Sequence, residues 1–339
     1  MIALRQTLSS VFVAGCLGGF ASSVAGCADR DAGERPSVAR PPVAQQQGGG
    51  GAAFVPASWR APAESDIPND SLGASVRRGL ALITHTADSL PTYAPGNINC
   101  TNCHLNAGRN LDAAPLAGSH ARFPKYLERS GAVVGLADRV NYCFTRSLAG
   151  SRLPADSREM QDILAYLAWL SRGVPVTEGK MLAGADGLAV LTPELEGDTI
   201  RGRQVYAAKC ASCHQLDGQG NRAVPPGIPA LWGPRSFSIG ASMARRSKAA
   251  SFIWNNMPLG LGKTLTPQEA FDVAAYVTSQ PRPDSPGKER DWPNGGAPKD
   301  APYATRGHVA FNPPRVLPRA NPAAAIVDAP ASVKRRGGQ

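Results

Sequence analysis

The sequence predicts an all-α chain in which one helical unit occurs twice. Three observations carry this. The pentapeptide C-x-x-C-H appears as CTNCH at 100–104 and again as CASCH at 210–214. A helical segment precedes each copy, near 72–90 and in DTIRGRQVYAAK at 198–209. A capped amphipathic segment follows each, DSREMQDILAYLAWLS at 156–171 and TPQEAFDVAAYVTS at 266–279. Helix, motif, irregular stretch and closing helix in the same order twice mark a repeated unit.

The elements follow in chain order. The first residues, MIALRQTLSSVFVAGCLGGFASSVAGCADRD, combine Arg5 with an uncharged, apolar and small-residue run, the composition of a secretory signal. Val24-Ala25-Gly26 directly before Cys27 also has the form of a bacterial lipoprotein cleavage box, so residues 1–27 are expected to be a signal and Cys27 a lipidated, membrane-attaching residue of a periplasmic protein. Residues 28–63, with QQQGGGG, read as a flexible tether. The first unit is expected over 64–175. Its closing helix has Asp156 as candidate N-cap, Glu159 three residues on, and Met160, Ile163, Leu164, Leu167 and Leu170 on one face. The second unit is expected over 176–283, its closing helix capped by Thr266 with Pro267 at the first position and Glu269 at the third. Residues 284–339 read as an extended proline-rich tail, expected to pack over the domains in its first part and to be disordered at its end.

The formal charge of +10 over 339 residues raises the question of nucleic acid. The basic residues are dispersed and accompany no nucleic-acid motif, so that class is excluded. An exported basic chain fits small anions or acidic redox partners instead.

The paired motif carries the chemistry. Two thiols one turn apart add to the vinyl groups of a single haem, and the adjacent histidine reaches the iron. Cys100, Cys103 and His104 are thus expected to hold one covalent c-type haem, and Cys210, Cys213 and His214 a second. With the helical order around them, each unit is a cytochrome c domain. Each iron needs a donor on its other face. In the second domain the candidates are Met243 and Met257. Met257, in NNMPLG ahead of the closing helix, is favoured, and Met243 suits a core-filling role. The first domain has no methionine between His104 and its closing helix, which leaves His120 and Cys143. The surplus His85 and His308 are expected to be structural or in the tail.

Cys143 lies in DRVNYCFTRSLAG, read as a helix over 138–149. At about 100° per residue, Val140, Phe144 and Leu148 form an apolar stripe, and Arg139, Cys143, Arg146 and Ser147 fall within an arc of about 100° beside it. A cysteine between two guanidinium groups is expected to be largely thiolate.

These segments also resemble a family. DRVNYCFTRSLAG, CTNCHLNAG, APLAGSHARFPKY, ALWGPRSFSIGA and NNMPLG are similar to the dihaem thiosulfate dehydrogenases, which couple two thiosulfates to tetrathionate and in some members run as tetrathionate reductases. The resemblance spans about residues 68–303. It implies that Cys143 is the distal ligand of the catalytic haem and acts in the sulfur chemistry. It puts Arg129, Arg139 and Ser147 at substrate-site positions and Met257 as distal ligand of the electron-transfer haem. Some members carry Lys just before that methionine, where this chain has Asn256. The chain also has Tyr142 where the family often has Asp, and SLAG where it often has SMNG. A pocket with Arg129, Arg139 and Arg146 suits a small dianion, and the electrons are expected to leave to an external acceptor such as a small cytochrome c. Two other readings stay open at this point. One is a pure dihaem electron carrier, and the other is a Sox-type subunit that joins sulfur to a partner protein's cysteine.

Overall fold

The computed structural model describes residues 60–174, 191–224 and 227–320, which lie within one compact unit, Gly50–Gln339. The signal, Cys16, Cys27 and most of the tether fall outside the described residues, as do the expected junction at 175/176 and the end of the tail. Helices dominate: α1 Ser71–Thr84, α2 Thr86–Ser89, α3 Ser119–Arg122, α4 Leu136–Tyr142, α5 Arg158–Leu170, α6 Thr199–Lys209, α7 Ala211–His214, α8 Arg246–Asn256 and α9 Pro267–Ser279. The short strands β1 Lys125–Leu127 and β2 Ala132–Val134 form an antiparallel hairpin, and β3 Arg282–Pro283 pairs in parallel with β4 Val316–Leu317.

The repeat seen in sequence is a repeat in packing. Helix α1 crosses α5 at Gly79, where a Cβ would stand 2.0 Å from the Asp162 carbonyl oxygen and 2.8 Å from Cβ of Tyr166. Helix α6 crosses α9 at Gly202, where a Cβ would stand 2.0 Å from the Asp272 carbonyl oxygen and 2.9 Å from Cβ of Tyr276. Only glycine allows backbones this close. The residue before each glycine locks the crossing. Arg78 donates Nε and Nη2 to the Asp162 carboxylate at 2.7 and 2.8 Å, and Arg201 does the same to Asp272 at 2.7 and 2.9 Å. Burial alone would raise both carboxyls, but the guanidinium bonds outweigh it and hold Asp162 and Asp272 below their ordinary value.

The expected elements mostly form, with corrections. The helix near 72–90 is broken at His85 into α1 and α2. The N-cap of α5 is Ser157 and not Asp156, because Ser157 is extended (φ −65°, ψ 150°) and its hydroxyl accepts from Met160 N at 3.2 Å. Met160, Ile163, Leu167 and Leu170 are buried as the periodicity requires, with Tyr166 and Trp169 beside them. For α9 the Thr266–Glu269 capping box and Pro267 are all present. The helix expected over 138–149 stops being α at Cys143. Residues Cys143–Ser147 form a π turn, with Leu148 N donating to Cys143 O at 2.8 Å. Single π turns of this kind cluster at functional sites. The first part of the tail packs on the domains, where Trp292, Ala301 and Tyr303 bury a cluster with Ile239.

Among the described residues, several hydrogen bonds join the two halves. Asn97 N donates to Arg235 O at 3.1 Å, Asn102 Nδ2 to Gly227 O at 3.1 Å, Ser238 N to Ser147 O at 3.3 Å, and Asn256 Nδ2 to Asp112 O at 2.9 Å.

Candidate active site at Cys143

The first C-x-x-C-H begins as one turn of tight helix. Cys100–Asn102 wind as 3-10, and His104 N donates to Cys100 O at 2.9 Å, which puts the histidine over the two thiols. The His104 ring is oriented by a short contact between Nδ1 and the Ala114 carbonyl. An Nδ1–H donated there would leave Nε2 as the nitrogen that can meet a metal. The start of the π turn places Cys143 close enough to the same imidazole for the two to interact electrostatically.

Cys143 carries the clearest electrostatic signature of the site. Burial pushes its thiol up. The Arg139 charge, the His104 contact and the Arg139 hydrogen bond together overcome burial and bring it down to about 6. Arg139 Nη1 lies 3.0 Å from Cys143 Sγ. This shift favours the thiolate form. Burial pushes the Cys100 and Cys103 thiols the other way, up to about 12, and the charge of nearby Cys143 adds to both rises. Two thiols and an adjacent imidazole are the groups a c-type haem needs for attachment, and Cys143 would offer it a further sulfur donor, so the residues fit that group.

The remaining expected residues divide. Among the described residues, Arg146 makes no hydrogen bond to the sulfur; its guanidinium stacks 4.1 Å from the centre of the Tyr142 ring, and Nη2 donates to Asp291 at 2.5 Å. The Arg139 charge is the largest cause that lowers the Cys143 thiol. Arg129 sits in the turn between β1 and β2 and donates Nε to the same Asp291 at 2.9 Å. Ser147 ends the π turn with its carbonyl accepting from Ser238 N. His120 is exposed on α3 and offers nothing toward His104. His85 is exposed at the end of α1, and His308 Nε2 lies 3.0 Å from Ala301 O within the tail.

At the second motif, α6 ends at Cys210 and α7 presents His214, whose Nδ1 lies 3.2 Å from the Pro229 carbonyl. Burial lowers the His214 pKa despite that carbonyl, which favours the neutral ring. Burial pushes the Cys210 thiol up to about 11, and Cys213 is exposed. Met257 follows the last residue of α8 and packs beside Phe252, Ala113 and Leu105, the residue after His104. Met243 packs into three apolar clusters, as a core-filling methionine does. Sequence reasoning missed Asp291, Trp292 and Tyr303, which bear directly on Arg129 and Arg146. Their only local signal is an Asp-Trp pair in a proline-rich stretch without periodicity.

Comparison with known proteins agrees with this architecture. Residues 92–176 match the SoxA/TsdA cytochrome c domain, and residues 200–281 match cytochrome c. The chain is 42% identical over 241 residues to a thiosulfate dehydrogenase of Psychrobacter arcticus, covering 70% of this chain and 73% of that protein. It is 41% identical over 228 residues to a thiosulfate dehydrogenase of Allochromatium vinosum, covering 66% of this chain and 83% of that one. Among solved structures it is similar to the thiosulfate dehydrogenase TsdBA of Marichromatium purpuratum in its as-isolated form, with TM-score 0.63 and 35% identity, over 68% of this chain and about half (51%) of that chain. Two tandem cytochrome c domains, two covalently bound c-type haems and these relatives together establish that the chain belongs to the dihaem thiosulfate dehydrogenase family.

Proposed function

We propose that the chain oxidises thiosulfate, joining two molecules into tetrathionate at Cys143 and releasing the electrons to an external acceptor such as a small cytochrome c. One observation carries this reading. A thiolate-biased cysteine faces the histidine of the first motif, with Arg139 on its sulfur. A pure electron carrier has no use for a nucleophile at that position. The relatives' names support thiosulfate as the substrate.

The haems, held through Cys100, Cys103 and His104 and through Cys210, Cys213 and His214, supply two one-electron acceptors, the second with the higher potential if Met257 gives it a thioether. We assign Cys143 as the distal donor of the first haem and Met257 as that of the second. Arg139 and Arg146 reduce the cost of bringing anions together. Two unit charges 4 Å apart interact by about 4 kcal/mol at an effective dielectric of 20, and two dianions multiply this fourfold. Cys143 thiolate forms a bond to the sulfane sulfur of one thiosulfate as two electrons leave the pair, giving a cysteine-bound thiosulfonate. The sulfane sulfur of a second thiosulfate then attacks the outer sulfur of that bond. Tetrathionate forms and Cys143 departs as thiolate, with no further electrons exchanged. A lowered cysteine pKa favours its departure. The same residues serve the reverse reaction, tetrathionate reduction.

We further propose export to the periplasm with lipid attachment at Cys27, on the residue pattern before that cysteine alone. The function is tested by mixing the isolated two-haem protein with thiosulfate and ferricyanide. The expected result is ferricyanide reduction with one tetrathionate per two thiosulfates consumed. No thiosulfate-dependent reduction contradicts the reading, and turnover only with a partner protein's cysteine as acceptor indicates a Sox-type subunit.

A further inference from the structure

Arg129 and Arg146 converge on one carboxylate, and it lies beyond the second matched domain, which ends at 281. The Asp291 side chain is only 5% exposed. Its Oδ2 accepts from Arg129 Nε at 2.9 Å and from the Tyr303 hydroxyl at 2.8 Å, and its Oδ1 accepts from Arg146 Nη2 at 2.5 Å. Arg129 is then further committed. Its Nη2 donates to Gly240 O at 2.7 Å and to Tyr303 Oη at 2.5 Å, and its guanidinium lies 4.9 Å from the centre of the Trp292 ring. Arg146 gives up only Nη2 and one face, which stacks on Tyr142 next to Cys143. Among the described residues, its Nε and Nη1 donate to no other group.

A buried acid beside a site for dianions is costly, because it cancels attraction. Its use must lie elsewhere. Two guanidiniums this close repel one another, and burial together with the Arg129 charge lowers the Arg146 pKa while Asp291 opposes both. A carboxylate shared between the two lets both stay, in fixed orientations. The same segment grips the hairpin that carries Arg129. Trp292 N donates to Arg129 O at 2.9 Å, and a Cβ on Gly131 (φ +61°) would stand 2.4 Å from Pro293.

We propose that Asp291, held by Tyr303, is a positioning residue of the sulfur-oxoanion site: it fixes Arg146 on the Cys143 turn with Nε and Nη1 left to receive an oxoanion. The proposal rests on the thiosulfate reading above.

The test has a sign. If Asp291 matters only through its charge, Asp291→Asn leaves the pocket more positive and lowers the thiosulfate KM. If it positions Arg146, the same substitution raises KM by about tenfold, with kcat changed less. Asp291→Glu restores part of the loss, and in an Arg146→Gln background Asp291→Asn changes KM less than about twofold. Steady-state kinetics of these variants as two-haem proteins decide it, and an unchanged or lower KM in Asp291→Asn overturns the proposal. If that variant does not accumulate with both haems, Tyr303→Phe gives the reading. It removes one hydroxyl and is expected to raise KM several-fold, and an unchanged KM overturns the proposal equally. Parent protein that does not turn over thiosulfate refutes the functional reading and the positioning role with it. Parent that turns over while the variants keep its KM refutes the positioning role alone.

Discussion

Arg139 and Cys143 are four residues apart in the chain, and the last turn of α4 brings Nη1 to 3.0 Å from Sγ. This contact was legible in the sequence, because i and i+4 share a helix face whatever follows. The place of Arg146 was not. One extra residue in the π turn changes which side chain follows Cys143 around the axis, and no propensity in CFTRS announces that turn. Arg139 therefore bears on both charge and sulfur. Arg139→Gln is expected to raise the thiosulfate KM by about tenfold, the effect of roughly 1.4 kcal/mol, and to lower kcat as well. The salt dependence of the rate should flatten, because the lost contribution is the attraction of a dianion. Kinetics at two ionic strengths check this, and unchanged constants would remove Arg139 from the pocket.

At the scale of elements, the two helix crossings hold the haem motifs in place. Each pairs Arg-Gly on the first helix with Asp and a Tyr four residues later on the closing helix: Arg78-Gly79 with Asp162 and Tyr166, Arg201-Gly202 with Asp272 and Tyr276. Helix existence and the α9 cap were legible from periodicity and local capping chemistry. The crossing was not, since an arginine and a glycine on an exposed-looking helix say nothing of the carbonyl they meet. Gly202→Ala forces a Cβ to 2.0 Å from the Asp272 carbonyl oxygen. The helices must part at about 1–3 kcal/mol. A thermal melt of the two-haem protein should show a drop in Tm of about 2–4 °C for each kcal/mol. A variant that melts with the parent would show that the crossing relaxes freely.

Over the whole molecule, function depends on contacts between segments far apart in sequence. Arg129 and Asp291 are separated by 162 positions, so no local pattern could have joined them. The contact between halves at Asn256 has the same character. Asn256 is buried and bonds both the Asp112 carbonyl and its own helix at Phe252, beside Met257, so the loop that carries Met257 rests on the first unit. The order of motifs along the chain was enough to read two haems, because covalent attachment needs only neighbours in sequence. The chemistry of Cys143 required the whole fold, which brings it to His104 from 39 residues away. The measurement that bears most directly on that chemistry is thiosulfate turnover by Cys143→Gly. Both haems should remain attached, since their thioethers involve only Cys100, Cys103, Cys210 and Cys213. Thiosulfate-dependent acceptor reduction should fall by at least about a thousandfold. Two-haem Cys143→Gly protein that turns over thiosulfate at the parent's rate would contradict the account.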